Sequence, residues 1–183
     1  MNRRDFIKLS VAGVLMMLVN GTDALAAGQS SKANYKIDFH SHAILPSYIN
    51  GLNELKIDAA TEEGFPLPKW SVEAHLKFMS DAEINYSILS MSTPHISNSK
   101  IIRRINEEFS ALCQKYPDKF GFVAALPLPD IEGSLAEIDY STKKLNALGF
   151  KLASNSDGVY LGDERIDPLF AELNRRKSLI KGL

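Results

Sequence analysis

The chain has 183 residues, of which 45% are hydrophobic and 23% charged, and its formal net charge is −1 at pH 7. This composition is typical of a globular protein and excludes the disordered and fibrous classes. With so little net charge and no stripe of basic residues, the sequence lacks the electrostatic footprint of a nucleic-acid-binding protein. The single cysteine, Cys113, excludes an internal disulfide bond, and we expect it to be a buried, unreactive thiol on a helix.

The first 26 residues predict an export signal. A twin-arginine pair, Arg3 and Arg4, precedes an apolar stretch at residues 9–19 and a small-residue cleavage site at residues 24–26. The apolar stretch is too short to span a bilayer of ~30 Å, so we expect no stable membrane span; an uncleaved anchor is the alternative. The predicted product is exported by the twin-arginine route to the periplasm or the cell exterior.

Residues 27–34 predict a polar linker, and residues 35–183 form the predicted domain. The domain opens with a short apolar strand at residues 35–38, which runs into His40 and His42. Side chains i and i+2 share one face of a strand, so we expect the two imidazoles side by side. Neutral imidazole binds zinc, copper, iron and nickel. The pair therefore predicts half of a metal site, since a catalytic zinc takes three protein ligands; two solvent-facing histidines are the alternative.

Residues 43–69 contain several prolines and glycines and predict a long irregular connection, of a length that is usually functional. At its end, Phe65 and Trp70 stand beside prolines. They are candidates for the wall of a pocket that holds an aromatic substrate. The alternative is a surface loop that these two rings hold down.

The rest of the chain alternates between helical and strand patterns. The apolar spacing predicts helices at residues 71–82, 101–116, 131–148 (ended by Gly149) and from 167 onward, and strands at 86–90, 120–126, 150–153 and from 178 onward. His75 lies inside the first of these helices and is not taken as a ligand. Such alternation predicts an α/β fold with a parallel sheet of βαβ units.

A barrel is favoured over an open sheet. No glycine-rich phosphate loop follows the first strand, where a nucleotide-binding open sheet carries one. Polar residues instead follow the strands, as active-site residues do in (β/α)8 barrels. Ser92, Thr93, His95 and Asn155 are therefore candidates to bind a substrate, and solvated loop positions are the alternative. We predict the amino-terminal portion, about four to five βα units, of a TIM (β/α)8 barrel.

Several segments together resemble the amidohydrolase-related family, and in particular its aminocarboxymuconate-semialdehyde, 6-methylsalicylate and resorcylate decarboxylases. The resemblance covers nearly all of residues 35–176. It rests on the histidine pair and on the segments at residues 64–71, 92–94, 120–122, 126–130, 160–163 and 173–176.

This resemblance implies a (β/α)8 barrel with a divalent metal, usually zinc, for which His40 and His42 match the first two ligands. It implies decarboxylation of a small aromatic or muconate-type carboxylic acid. Hydrolysis of a lactone, ester or amide by metal-activated water is the alternative, because the same two histidines serve both reactions. The segment at residues 65–71 leans toward decarboxylation.

The family's later ligand histidine, a further histidine and the catalytic aspartate follow its fifth, sixth and eighth strands, and no histidine follows His95 here. A (β/α)8 barrel takes ~250 residues. We therefore expect the amino-terminal half of a barrel, inactive alone or a fragment that needs a partner. Its open sheet edges predict homo-oligomerisation or aggregation.

Overall fold

The computed structural model describes residues 35–182, which form a parallel sheet covered by helices. The predicted signal peptide and linker lie outside these residues. Five parallel strands pair in the order β1-β2-β3-β4-β7, and an antiparallel pair, β5 and β6, follows β4. The strands are β1 (Ile37–His42), β2 (Tyr86–Ser90), β3 (Phe120–Ala125), β4 (Gly149–Leu152), β5 (Asn155–Ser156), β6 (Val159–Tyr160) and β7 (Leu179–Gly182).

Helices connect the consecutive parallel strands, which confirms the α/β prediction and the partial barrel of four to five βα units. They are α1 (Pro46–Glu54), α2 (Ala59–Glu63), α3 (Val72–Asp81), α4 (Ser99–Lys115), α5 (Ile131–Lys144) and α6 (Asp167–Arg176), with a 3-10 turn at Glu164–Ile166. Polar side chains cap their first turns: Ser71 caps α3, Asn98 caps α4 and Asp130 caps α5. Within residues 35–182, no helix is long and apolar enough to cross a membrane.

The predicted irregular connection at residues 43–69 is wrong, because this segment contains α1 and α2. Pro46 lies in the first turn of α1, where a helix does not need the missing N–H group. Gly51 packs against Ile101 of α4 so closely that no Cβ would fit without a shift. Proline and glycine here mark a helix start and a helix–helix contact.

The predicted helix at residues 131–148 is too long. The structure ends α5 at Lys144, and Asn146 then takes a left-handed backbone conformation with φ of 55°. Gly149 does not end a helix but begins β4, where the backbone of Leu179 on β7 leaves no room for a side chain. The helical spacing of apolar residues continues beyond Lys144, so a prediction from this spacing alone ends the helix too late.

The core lies between the sheet and its helices. All six residues of β3 are buried, as expected for the central strand of a covered parallel sheet. Phe122 of β3 stacks on Phe109 of α4, with ring centroids 5.8 Å apart. Cys113, also on α4, is half-buried, and burial raises the pKa of its thiol to about 12, so the thiol is protonated and unreactive at neutral pH.

A buried polar network fastens α4 and α5 to β3. The side-chain amide of Asn106 donates to the carbonyl of Ala125 and accepts from its N–H, both at 2.9 Å. The carboxylate of Glu137 is 2% exposed. It accepts from Asn106 and Ser141 at 2.8 Å each, and from Arg103 at 2.6 Å. Because both oxygens of the carboxylate have hydrogen-bond donors, burial of this charge is tolerated.

The edge strands of the described sheet expose apolar side chains. Ile37 and Phe39 on β1 are 55% and 40% exposed, and Leu179 and Ile180 on β7 are 41% and 40% exposed. Exposed edge strands offer unpaired backbone groups to another chain. Self-association through these edges stays a prediction.

Replacing the buried carboxylate tests the network. We expect Glu137→Ala to lower the free energy of unfolding by ~2–3 kcal/mol, because Arg103 and Asn106 lose their acceptor while Arg103 keeps partial hydration. Urea denaturation measures the change. The matched control is Glu132→Ala, at an exposed position on the same helix, for which we expect less than ~1 kcal/mol; equal losses in both variants would contradict this account.

Candidate metal centre

His40 and His42 lie together at the carboxyl end of β1, with ring centroids 5.2 Å apart and an interplanar angle of 80°. A bulge between Asp38 and Ser41 interrupts the register of β1 with β2. The carboxylate of Asp38 holds this bulge, because it accepts from the N–H of His40 at 3.0 Å and from the hydroxyl of Ser41 at 2.8 Å. The structure thus brings the two imidazoles within reach of one metal ion, through a bulge that re-aims the strand end.

Hydrogen bonds determine which nitrogen of His42 is available. Its Nδ1 lies 3.2 Å from the carbonyl oxygen of Met91 and 3.0 Å from the hydroxyl of Ser90. A carbonyl oxygen only accepts, so Nδ1 carries the proton and donates it, and Nε2 keeps its lone pair. A backbone carbonyl that fixes the tautomer in this way is typical support for a metal-ligating histidine.

The surroundings keep His42 neutral. Burial is the largest cause, followed by repulsion from the Lys181 and Lys151 ammonium groups, and together they lower the pKa of His42 to about 4. Metal ligation requires the neutral imidazole. At neutral pH, protons therefore do not compete with a metal ion for Nε2.

Two buried lysines lie beside the histidine pair. Lys151 of β4 and Lys181 of β7 are neighbours across the sheet, and each is 4% exposed. Nζ of Lys151 donates to the carbonyl oxygens of Met91 at 2.9 Å and Ser92 at 3.3 Å, whereas Nζ of Lys181 donates to the hydroxyl of Ser90 at 2.8 Å. Burial, with the charge of Lys181, lowers the pKa of Lys151 to about 8.

The other face of β1 carries a separate hydrogen-bonded group. Ser41 lies between the two histidines in sequence, and its hydroxyl is 3.4 Å from Nε2 of His75. Nδ1 of His75 accepts from the indole N–H of Trp70 at 3.1 Å. Trp70 is therefore tied through His75 to the bulge, on the face opposite the histidine pair. Its predicted role as an aromatic wall stays a prediction.

The residues predicted after β2 lie on the expected loop. Ser92 and Thr93 are half-buried, and the carbonyl of Ser92 accepts from Lys151. Nε2 of His95 lies 3.2 Å from the carbonyl oxygen of Leu128, and burial is the main cause that lowers the pKa of His95. His95 therefore bridges the loops that follow β2 and β3.

The remaining two candidates, Phe65 and Asn155, lie on other segments of the chain. Asn155 begins β5, and its side-chain oxygen accepts from the N–H of Gly158 at 3.1 Å, which supports the tight turn of the β5–β6 hairpin. Phe65 follows α2 and is 58% exposed. The substrate-binding roles of Phe65, Trp70, Ser92, Thr93, His95 and Asn155 stay predictions.

Sequence reasoning missed Lys151 and the supporting role of His75. The signal for Lys151 was present, because it interrupts the apolar run of β4, and a charge inside a fully buried strand is rare without a reason. The signal for His75 was absent, because nothing in a helical pattern indicates that one of its residues bonds to a distant strand.

The residues present can supply half of the ligands of a metal site. Within the described range, no group of three or more His, Cys, Asp or Glu side chains could hold an ion. His40 and His42 supply two nitrogen donors. The nearby Lys151 and Lys181 ammonium groups oppose a bound cation unless an anion also enters.

The chain belongs to the amidohydrolase family, which matches residues 37–179. Decarboxylase macB of Penicillium terrestre is 34% identical over 157 residues, a match that covers 79% of this chain and 46% of that protein. The 6-methylsalicylic acid decarboxylase acuB of Aspergillus aculeatus is 28% identical over 155 residues, which cover 79% of this chain and 46% of that protein. These matches confirm the resemblance to the decarboxylase branch, and the chain spans about half the length of the curated relatives it matches.

Solved structures confirm the partial barrel. A crystal structure of an amidohydrolase II matches with a TM-score of 0.73 at 32% identity. The match covers 80% of this chain and 49% of that one. The 5-carboxyvanillate decarboxylase of Novosphingobium aromaticivorans, solved with bound manganese, has a TM-score of 0.69 at 21% identity, with coverage of 82% and 50%. The second likeness shows the shared fold.

The histidine pair is tested by metal titration. We expect His40→Ala and His42→Ala each to weaken Mn²⁺ or Zn²⁺ binding about 10- to 100-fold, because each removes one of two nitrogen donors. Isothermal titration calorimetry measures the affinity. The matched control is His95→Ala, which should stay within about twofold of the unaltered chain; an equal loss in all three variants would show that the ion binds elsewhere.

The buried ammonium of Lys151 predicts a pH-dependent stability difference. The pKa of lysine is ~10.4 when unfolded and about 8 in the folded chain, so the unfolded state binds more protons between these values and stability rises with pH there. We expect metal-free Lys151→Met to be more stable at pH 7 by ~2–3 kcal/mol. Urea denaturation should show this advantage shrinking from pH 8 to 10, whereas exposed Lys144→Met should show none; a pH-independent advantage would contradict the prediction.

Proposed function

We propose that this chain supplies the metal-binding half of a decarboxylase that releases CO₂ from a hydroxylated aromatic carboxylic acid. The observation that carries the proposal is His42, which is neutral and presents Nε2 beside His40 at the carboxyl edge of the sheet. In (β/α)8 barrels, this edge holds the active site. Relatives named as decarboxylases, one of them for 6-methylsalicylic acid, support the reaction and the substrate class.

In this proposal, His40 and His42 hold a divalent metal. Such an ion, when bound, polarises a substrate oxygen or a bound water. Zinc is the first candidate because two imidazoles suit it, and manganese is the second because a decarboxylase of the same fold contains it. Since residues 35–182 offer no cluster of three ligands, the third ligand comes from outside this range, and these residues alone do not turn over substrate.

The chain's own contribution is to orient and desolvate the reacting acid. Met91, through its carbonyl, fixes the ring of His42, and the Asp38-supported bulge aims His40. Hydrolysis of an ester or lactone remains the alternative outcome, because two histidines at this edge also serve metal-activated water.

Complementation with a carboxyl-terminal barrel half tests the proposal. We would co-express the chain with the carboxyl-terminal half of the Penicillium decarboxylase, purify the assembled complex, and supply Zn²⁺ or Mn²⁺ with 6-methylsalicylate. We expect formation of 3-methylphenol by the complex and none by the chain alone. Chromatography of the product and trapping of CO₂ measure the reaction.

The controls separate assembly from chemistry. His42→Ala should still co-purify with the added half but lose product formation by about 100-fold or more, and a chelator should have the same effect on the unaltered complex. An assembled, metal-loaded complex that forms no 3-methylphenol contradicts decarboxylation. If that complex instead cleaves phenyl acetate in a His42-dependent manner, the hydrolase alternative replaces it.

A further inference from the structure

Lys151 places a positive charge directly at the edge that carries the histidine pair. Its Nζ and Nδ1 of His42 bond to the same atom, the carbonyl oxygen of Met91, at 2.9 Å and 3.2 Å. The ammonium group and the imidazole therefore lie within two hydrogen-bond lengths of each other. Nε2 belongs to the same imidazole ring, so a ligand there binds to a ring that the charge of Lys151 already influences.

This ammonium group has no counter-ion among the described residues. The side chain is 4% exposed, and its contacts are the two carbonyl oxygens of Met91 and Ser92. An ammonium has three N–H donors, so one remains for a ligand. Glu63 favours the charged form from a distance but forms no ion pair with it, and Lys181 adds a second positive charge nearby.

Three exposed lysines show the contrast. Lys36, Lys77 and Lys143 each pair with a carboxylate, at 2.9, 2.7 and 2.8 Å, although water would solvate them anyway. Lys151 is buried, where an unpaired charge is costly, yet no carboxylate in the described part of the chain pairs with it. An anion from outside the described residues would supply the missing interaction, and in a water-poor setting that interaction is strong.

We propose that Lys151 binds the carboxylate of the substrate and makes the site select anionic aromatic acids over the corresponding neutral phenols. The assignment rests on the proposed function for the position of the substrate beside His40 and His42. It does not depend on CO₂ release. The bound carboxylate also offsets the repulsion that Lys151 and Lys181 exert on a metal ion at the histidine pair, so acid and metal favour each other's binding.

The assigned role concerns affinity more than rate. In this assignment the ammonium holds the carboxylate equally well in the ground state and in the transition state, and the contact is lost only after the carbon–carbon bond has broken and neutral CO₂ leaves. Binding that is equal in both states lowers KM without raising kcat. In the complemented enzyme, Lys151→Met should therefore raise KM for 6-methylsalicylate by tenfold or more and leave kcat within about threefold.

Ligand binding to this 183-residue chain tests the assignment without any turnover. The probes are 6-methylsalicylate and 3-methylphenol, which differ by the carboxylate, titrated calorimetrically with and without Mn²⁺. We expect the acid to bind at least tenfold tighter than the phenol. Lys151→Met should reduce this ratio to about one by weakening only the acid, Lys151→Arg should retain part of it, and exposed Lys144→Met should leave it unchanged.

Proton uptake provides a second readout, which a purely structural lysine would not give. At pH 8, Lys151 is about half-protonated, and a bound carboxylate raises its pKa. Binding of 6-methylsalicylate should therefore take up as much as about half a proton. Titrations in buffers of different ionisation enthalpy measure this, and the uptake should vanish in Lys151→Met, whose folding is checked by its urea transition.

The outcomes separate this assignment from the proposed function. If Lys151→Met keeps the acid-to-phenol ratio and the proton uptake of the unaltered chain, Lys151 does not bind the carboxylate, whether or not the complemented enzyme releases CO₂. Absence of acid binding to the unaltered chain overturns the assignment as well. If selectivity depends on Lys151 while the assembled complex releases no CO₂, the carboxylate site stands and decarboxylation is wrong.

Discussion

The carbonyl oxygen of Met91 is the point on which the candidate site depends. It accepts from His42 on β1 and from Lys151 on β4, strands that are not neighbours in the sheet. This convergence is possible because parallel strands in register present their carboxyl ends at one edge. A single acceptor thereby sets the tautomer of the imidazole and the position of the buried ammonium. Displacement of the backbone after β2 would disturb both groups together.

Two different solutions to charge burial appear on the two sides of the sheet. Between sheet and helices, the carboxylate of Glu137 is fully paired, with Arg103 and Asn106 among its donors. This pairing stabilises a single arrangement of α4, α5 and β3. On the inner side, Lys151 and Lys181 are buried against carbonyl and hydroxyl oxygens, and no carboxylate within residues 35–182 pairs with either. These two positive charges are the feature on which our proposal of a bound carboxylate beside the metal site rests.

The sequence predicted the fold class well and the element boundaries less well. The alternation of strand-like and helix-like apolar patterns was enough to predict a parallel sheet, because each strand and each helix must bury its apolar face. The predicted boundaries were wrong at residues 43–69, where proline and glycine belong to helices, and at Gly149, which begins a strand. In both places the deciding factor is the close approach of another element, Ile101 in one case and Leu179 in the other, and local patterns do not contain that information.

By its spacing alone, the sequence determined that His40 and His42 end a strand together, because residues i and i+2 of a strand are close whatever surrounds them. Only the tertiary structure decided which nitrogen of His42 is free, that His75 braces the bulge, and that Lys151 lies beside the pair. Lys151 is 60 residues from Met91 along the chain. The register of the strands and the exclusion of water bring Lys151 to the carbonyl of Met91, and both exist only once the sheet has formed.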